Sequence, residues 1–442
     1  MKVYDKNITG WGNFPERKTK VVSPNCIDDL LEIQKSRTLI ARGNGRSYGD
    51  CSYSPDLTVE MKNFNKIINF DEDSGVIECE AGVLLSEIIY KYMPMGWFPA
   101  VSPGTKFVTI GGMVASDVHG KNHHKDGSFS NFINWFEILS SSNEIIRCSR
   151  EKNSELFHWT IGGMGLTGII LKVSFTLKKI ETSWMSVNNI ANQNLKETFE
   201  SIEKNNASTY SVAWIDSTSS GSSIGKSILM IAEHATPSCL SEEKKCFEVI
   251  KKKKKTIPFY FPNFFLRRYI IKIFNFIYYN LQKIKKGHLL SWDDYFYPLD
   301  NINDWNKIYG RKGFFQIQCV FPLENSKLGI EEILIESSKA KHSSFLTVLK
   351  MFKDQKSNIS FPMRGYTITL DYPVNEHTKL LVPVLEKIVL KHKGRFYLTK
   401  DSIISKESFL KSDIRLREFK NYRLKMNLAD TYRSYQSMRL DI

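Results

Sequence analysis

The chain has 442 residues, 42% of them apolar and 25% charged, with a formal net charge of +15. That size and composition belong to a soluble globular protein of two or three domains. No run of 18 uncharged apolar residues occurs, which excludes a membrane-spanning helix. The seven cysteines (26, 51, 79, 148, 239, 246 and 319) form no CxxC pair, which argues against a zinc site or disulfide frame and for a reducing cytoplasmic setting.

The opening residues MKVYDKNITGWGNFPE have no apolar core, so no signal peptide is expected. Residues 24–35 space Ile27, Leu30, Leu31 and Ile33 as a helix does, with Asp28 and Asp29 in its first turn. A short buried strand at 38–41 runs into the glycine loop RGNGRSYGD (42–50), and 57–61, 67–70 and 76–81 read as further strands. Residues 84–93 read as a helix. Residues 134–139 and 144–148 read as a hairpin, 151–159 as a short helix, and 169–177 as an apolar strand.

The stretch 102–128, SPGTKFVTIGGMVASDVHGKNHHKDGS, holds five glycines, three histidines and three lysines. It is poor material for an ordinary helix or strand, since glycine costs about 1 kcal/mol against alanine in a helix interior. Glycine also lets backbone approach a ligand and present bare N–H groups, so this stretch is expected to hold a large cofactor.

A third glycine segment, 162–168 (GGMGLTG), contains the spacing of a dinucleotide fingerprint, but the Rossmann order is wrong. That fingerprint follows a strand and opens a helix, whereas here a helix precedes and a strand follows. Neither this loop nor 43–49 ends in the Gly-Lys-Ser/Thr of a phosphate-binding P-loop. Three glycine segments within about 130 residues point to one extended phosphate-bearing ligand.

Beyond about residue 180 glycine thins out. Residues 211–216, 227–232, 313–321 and 366–372 alternate as antiparallel strands, and 328–339 and 379–390 as amphipathic helices. The chain ends in a basic helical tail. Residues 251–286 carry eleven Lys or Arg and no acid, so most of the net charge belongs to one segment and no nucleic-acid partner is expected. Within it Leu266, Tyr269, Ile270, Ile273, Phe274, Ile277, Leu281 and Ile284 form one helix face. Arg267, Lys272, Asn275, Tyr279, Gln282, Lys283 and Lys286 form the other. This pattern suits a helix lying on a membrane surface, or a solvated loop, or a helix packing its apolar face on its own domain.

RGNGRSYGD (42–50), SPGTKFVTIGGMVASDVHGKNHH (102–124), GGMGLTGII (162–170), SVAWID (211–216), GFFQIQ (313–318) and GRFYLTKDS (394–402) resemble, in order, segments of the vanillyl-alcohol-oxidase-type (PCMH-type) flavoproteins. Within these the chain resembles the decaprenylphosphoryl-β-D-ribose 2′-oxidase group. The resemblance implies an α+β fold with two domains. An FAD-binding domain is expected at 1–180, completed by 395–442. An antiparallel-sheet substrate domain is expected at 181–394, with a basic amphipathic insertion at 250–290.

The resemblance also implies site residues. Arg42, Gly43, Asn44, Gly45, Arg46, Ser47 and Tyr48 would wrap the pyrophosphate. Pro103, Gly104, Thr105, Thr109, Gly111, Gly112, Ala115, Ser116, His119, Gly120 and Asn122 would line the flavin, with Gly163, Gly168 and Ile169 on the adenosine side and Tyr397 nearby. Many relatives attach FAD to a histidine of the first loop. This loop has none, so non-covalent FAD is expected.

His119 and Lys400 are the expected catalytic residues. An imidazole can hold an alcohol and manage its proton, and a lysine can offset charge on reduced flavin. From composition alone His119 is equally a histidine capping a turn, and Lys400 a solvated strand end. Lys121, Trp214, Gln316, Gln318, Lys350 and Thr369 are the expected substrate contacts, and no metal is expected at His119, His123 and His124 because Gly120 interrupts the helix that would align them. The family group often has a cysteine at the position of Thr369, where covalent nitroaromatic inhibitors react.

The function these residues imply is FAD-dependent oxidation of the 2′-hydroxyl of a polyprenyl-phosphoryl pentose, the first half of an epimerisation in cell-envelope synthesis. A short-chain reductase partner and a peripheral place on the inner membrane are implied with it. The rivals are an oxidase of a soluble sugar, alditol or aldonolactone on the same fold, and a flavin-free scaffold that docks on membranes.

Overall fold

A computed structural model describes residues 2–35, 38–249, 254–339 and 343–442; Lys251, Lys252 and Lys253 of the basic run lie outside the described residues. The fold is α+β, and three sheets dominate it. In the first, Tyr4–Ile8, Arg17–Val22, Thr58–Glu60 and Ile40–Arg42 lie side by side. The glycine loop 42–50 leaves its edge. The second centres on Ile169–Lys179, which pairs antiparallel with Val76–Glu80 on one side and Ile133–Leu139 on the other. The expected hairpin is present, as Ile133–Leu139 paired with Ile145–Ser149. The helix Ser154–Thr160 precedes loop 162–168 and a strand follows it, which is the non-Rossmann order.

The third sheet has eight strands in the order His288–Ser291, Trp184–Asn192, Ser227–His234, Tyr210–Ile215, Thr347–Phe352, Gly365–Pro373, Phe314–Pro322 and Arg395–Phe396. Its register decides which side chains meet. Trp214 pairs with Val348, Val348 with Thr369, and Thr369 with Gln318, so these four form one row across one face. Lys350 lies one row above on that face and Gln316 one row below, because strand side chains alternate. The intervening residues Ala213, Leu349, Ile368, Ile317 and Cys319 point the other way, into a core closed by helices Leu323–Lys339 and Glu376–Lys391.

Two expectations change. The stretch after Ser102 contains a helix after all, Ile110–Ser116, started by Thr109, whose Oγ1 accepts from the Gly112 N–H. Close approach calls for glycine on both sides of it: a Cβ on Gly111 would lie 2.8 Å from Ala81 Cβ, and one on Gly43 of the first loop would lie 2.2 Å from Thr109 Oγ1. The second change concerns the amphipathic segment. It is a helix, Arg268–Lys283, but Asn275 and Tyr279 of its polar side are buried together with Ile271, and Leu266 of the apolar set is buried just before it. Asn275 Nδ2 donates to Asp216 Oδ1 at 2.6 Å, and Gln193 Nε2 donates to Tyr279 Oη at 3.0 Å. The apolar stripe faces outward. No helix among the described residues is long and apolar enough to cross a membrane.

The C-terminal residues return to the first loop. Leu39 bridges to Tyr432, the Tyr48 N–H donates to the Thr399 carbonyl at 3.1 Å, and Arg439 Nη2 reaches Asp50 Oδ1 at 2.9 Å and Asp401 Oδ2 at 2.6 Å. Arg439→Ala would leave two buried carboxylates facing each other, and removing one partner of a buried ion pair costs about 3–5 kcal/mol. The urea midpoint of this variant should fall accordingly, with bound flavin lost early in the transition; a midpoint equal to that of the unaltered chain would refute the clamp.

Candidate active site

One cavity of about 1050 Å³ runs between the first two sheets, the eight-stranded sheet and the C-terminal segment. The first loop borders it with Gly43 to Tyr48, and the central stretch with Pro103, Gly104, Thr105, Thr109, Gly111, Gly112, Ala115, Ser116, His119, Gly120 and Lys121. Gly168 closes one end. Tyr397 and Lys400 enter from the C-terminal segment, and Trp214, Gln316, Gln318, Lys350 and Thr369 enter from the sheet.

Four expected residues do not line it. Arg42 is a strand residue between Ala41 and Gly43, and alternation turns it away, so its guanidinium donates to the Thr9 carbonyl and to Ser52 Oγ, both at 2.9 Å. Ile169 fails by the same one-residue parity, with Gly168 and Ile170 on the cavity side. Gly163 makes the turn after Thr160, where a Cβ would lie 2.3 Å from the Trp159 carbonyl oxygen. Asn122 is a buried brace that donates to the Ala100 carbonyl at 2.8 Å and to Asp126 Oδ2 at 2.6 Å. A fifth residue, Tyr48, lines the cavity, but its N–H is already committed to Thr399.

The lining fits a dinucleotide. The N–H groups of Asn44, Gly45, Arg46 and Ser47 meet no protein acceptor among the described residues, and Arg46 Nε is buried without a partner there. A Cβ placed on Gly104 would meet nothing within 4 Å, so its backbone borders open space. Successive free N–H groups and a cation suit a pyrophosphate, and bare backbone suits a flat ring.

The polar wall centres on His119. Asp117, in a left-handed conformation (φ 39°), accepts from Ser128 Oγ at 2.8 Å, the Ser130 N–H at 3.0 Å and Gln355 Nε2 at 2.8 Å. This pins the turn that aims His119. The imidazole lies 3.0 Å from Gln318 Nε2 and 3.2 Å from Lys350 Nζ, with the rings of Phe352 and Tyr397 against it. Thr367 gives its one hydroxyl proton to the Cys319 carbonyl, so it accepts from Gln318 Nε2. Gln318 therefore also donates to His119 Nε2, the imidazole proton sits on Nδ1, and Lys350 receives it as a neutral amine. This contact forms above about pH 8, since burial brings Lys350 down to about 8; below that its charge adds to the burial that holds His119 well below the usual histidine range.

Burial also lowers Lys121 to about 7, where its Nζ donates to the Tyr295 carbonyl. Lys400 Nζ stands 3.8 Å from the centre of the Tyr48 ring, and burial depresses it. Its counter-charge is Asp371, a residue the sequence reading missed. Asp371 is fully buried, accepts from Gln316 Nε2 and from the Tyr309 hydroxyl (3.2 Å), and is pushed up by burial. Gln316 Oε1 is left buried without a partner among the described residues. Lys106, also missed, is an ion-pair brace with Asp293 under the cavity rim. His123 and His124 turn to separate partners, Gln355 Oε1 at 3.0 Å and the Ser208 carbonyl at 2.8 Å.

Sheet, cavity and wall together fit an oxidoreductase built around a dinucleotide cofactor. A family model described as an FAD binding domain matches residues 20–149. Decaprenylphosphoryl-beta-D-ribose oxidase of Mycolicibacterium smegmatis is 30% identical over 99% of this chain and 98% of its own length. Cytokinin dehydrogenase 3 of Arabidopsis thaliana is 25% identical over 36% of the chain and 32% of its own, and a putative D-arabinono-1,4-lactone oxidase of Neurospora crassa is 24% identical over 37% and 30%. The chain belongs to the FAD-linked oxidase family of the mycobacterial decaprenylphosphoryl-ribose enzyme, and its cofactor is FAD.

Cys51 is the cysteine that borders the cavity among the described residues, and burial pushes its thiol up to about 12. It is therefore a poor nucleophile. Acid precipitation should leave the flavin in the supernatant, and a nitroaromatic electrophile should form no adduct with the unaltered chain. Thr369→Cys should gain a stoichiometric adduct; flavin in the protein pellet, or an adduct at Cys51, would contradict this.

Proposed function

We propose that the chain oxidises a secondary hydroxyl of a lipid-linked sugar, the 2′-OH of a polyprenyl-phosphoryl pentose, to a keto sugar. The observation that carries this reading is one cavity joining the His119–Gln318–Lys350 cluster to an apolar wall of Trp214, Phe274, Tyr278 and Phe345. The end-to-end similarity to the mycobacterial oxidase supports it. On this reading residues 1–180 with 395–442 form the FAD-binding unit and 181–394 the substrate unit. The keto product then goes to a reductase of the short-chain class, completing an epimerisation in cell-envelope synthesis.

When bound, FAD supplies the acceptor for the hydride leaving the carbinol carbon. The chain does the rest. The free N–H groups of 44–47 and the Arg46 guanidinium hold the pyrophosphate, without a covalent link. Gln316 Oε1 accepts from a sugar hydroxyl, and Trp214, Thr369 and Lys121 bound the sugar. The proton leaving the 2′-OH is taken at Lys350 Nζ, which His119 Nδ1–H positions. Lys400 offsets negative charge beside the cofactor. The cationic helix segment 254–286 rests on the membrane from which the substrate comes.

Two measurements test this. Anaerobic flavin bleaching should follow addition of a polyprenyl-phosphoryl ribose or arabinose, and bleaching by free pentoses, alditols or aldonolactones alone would reject the lipid-linked substrate. The second is a pH profile. Lys350 carries its proton below about 8 and cannot take another, so kcat/KM should rise with pH and level off above about 8. Lys350→Met should remove that limb and lower kcat by about 100-fold or more; a variant keeping the same limb would show that another group takes the proton.

A further inference from the structure

We propose that a polyisoprenoid chain occupies a groove running from Trp214 and Tyr278 past Phe274 onto the outer face of helix Arg268–Lys283, so that the substrate's tail stays in the bilayer while its sugar reaches His119. This rests on the lipid-linked substrate proposed above and adds where the lipid lies and which surface meets the membrane.

The cavity changes character along its length. His119, Gln316 and Gln318 are buried at its inner end, whereas Tyr278, Phe345 and Leu346 are only partly buried and Phe274 is 44% exposed. Aromatic rings bound this outer part: Trp214 stands 4.6 Å from Tyr278, and Phe274 stands 5.4 Å from Phe345, measured between ring centres. Phe274 thus belongs to the cavity and to the surface at once. Ile277 and Leu281, three and seven residues on, are 52% and 55% exposed, and Ile273 beside it is 60% exposed, so the apolar path continues outward.

The sense of the helix is fixed by its other side. Asn275 is tied to Asp216, Tyr279 to Gln193 and the Asn192 carbonyl, and Gln282 accepts from Asn189. These bonds hold the polar residues inward, so the apolar face cannot roll under. A contiguous exposed apolar face marks a binding surface. The charge around it selects the occupant. Arg267, Lys272, Lys283, Lys285 and Lys286 are exposed at its flanks and ends, and no acidic residue lies between 254 and 286. An apolar strip edged by cations matches an anionic bilayer.

The test uses the full chain with bound FAD, vesicles of phosphatidylcholine and phosphatidylglycerol, and two phosphoryl-pentose substrates, one with a ten-carbon and one with a fifty-carbon prenyl tail. Ile273→Asp with Ile277→Asp should lower vesicle co-sedimentation by at least about tenfold. It should also lower kcat/KM on the long-tailed substrate in vesicles by a similar factor, and change that on the short-tailed one in solution less than twofold. Phe274→Ser should raise KM for the long-tailed substrate more than for the short-tailed one, with kcat retained. Unchanged sedimentation, or equal losses on both tails, would overturn the proposal. So would a dimer in solution that the double variant abolishes, which would assign the face to a second copy. Turnover of free sugars and of neither prenyl substrate would remove the lipid-linked reading and the groove with it; vesicle binding, read separately, tells that failure from a failure of the groove alone.

Discussion

The site depends on one shared cation. Arg439 stands between Asp50, which ends the first glycine loop, and Asp401, which follows Lys400. Burial pushes Asp50 up toward its neutral form, and the Asp401 charge beside it adds to that push; the Arg439 guanidinium opposes both. The arrangement joins positions nearly 400 residues apart. Through it the turn 398–400 is pressed against the loop, Thr399 takes the Tyr48 N–H, and Gly49 admits the Asp401 carbonyl where any Cβ would lie 1.9 Å away. Tyr397 and Lys400 can face the cavity only when this closure is made.

Closure concentrates cationic groups where solvent is scarce. His119, Lys121, Lys350 and Lys400 border one cavity, and Asp371 is a buried carboxylate set against Lys400. Burial penalises every charge, so all four basic groups are shifted toward neutrality and Asp371 upward. Such a wall is poised to change protonation near neutral pH, which suits removal of an alcohol proton. It also leaves room for an anionic ligand, whose charge would bring the lysines back toward their protonated forms.

Local pattern made much of this legible. Period-two alternation placed Gln316 and Gln318 on one face, and the glycine loops marked where backbone borders the cavity. Parity made the misses legible too: Arg42 and Ile169 stand one residue from cavity positions, and strand edges are not readable to one residue. The helix Ile110–Ser116 was hidden because its two glycines argue against a helix locally, while the approach of Ala81, about 30 residues earlier, requires one of them, Gly111. Asp371, Tyr309 and the Lys106–Asp293 pair gave no signal at all. Their partners lie from about 55 to nearly 190 residues away, and a buried charge looks like any other charge until its partner is known.

Amphipathicity shows the limit most clearly. The spacing of Ile273, Ile277 and Leu281 announces two faces but carries no information about which one turns inward. The usual resolution buries the apolar face, because each such side chain gains about 1.5–3 kcal/mol on leaving water. Here the strands under the helix offer Asp216, Asn189 and the Asn192 carbonyl, and a buried polar group left without a partner costs about 1–3 kcal/mol. Docking the apolar face there would strand those groups, so Asn275, Tyr279 and Gln282 are the complementary side. The apolar stripe is left outward by the polarity of the sheet beneath it. It lies beside the one end of the cavity where the lining is aromatic and open, and that adjacency ties the surface of the molecule to its chemistry.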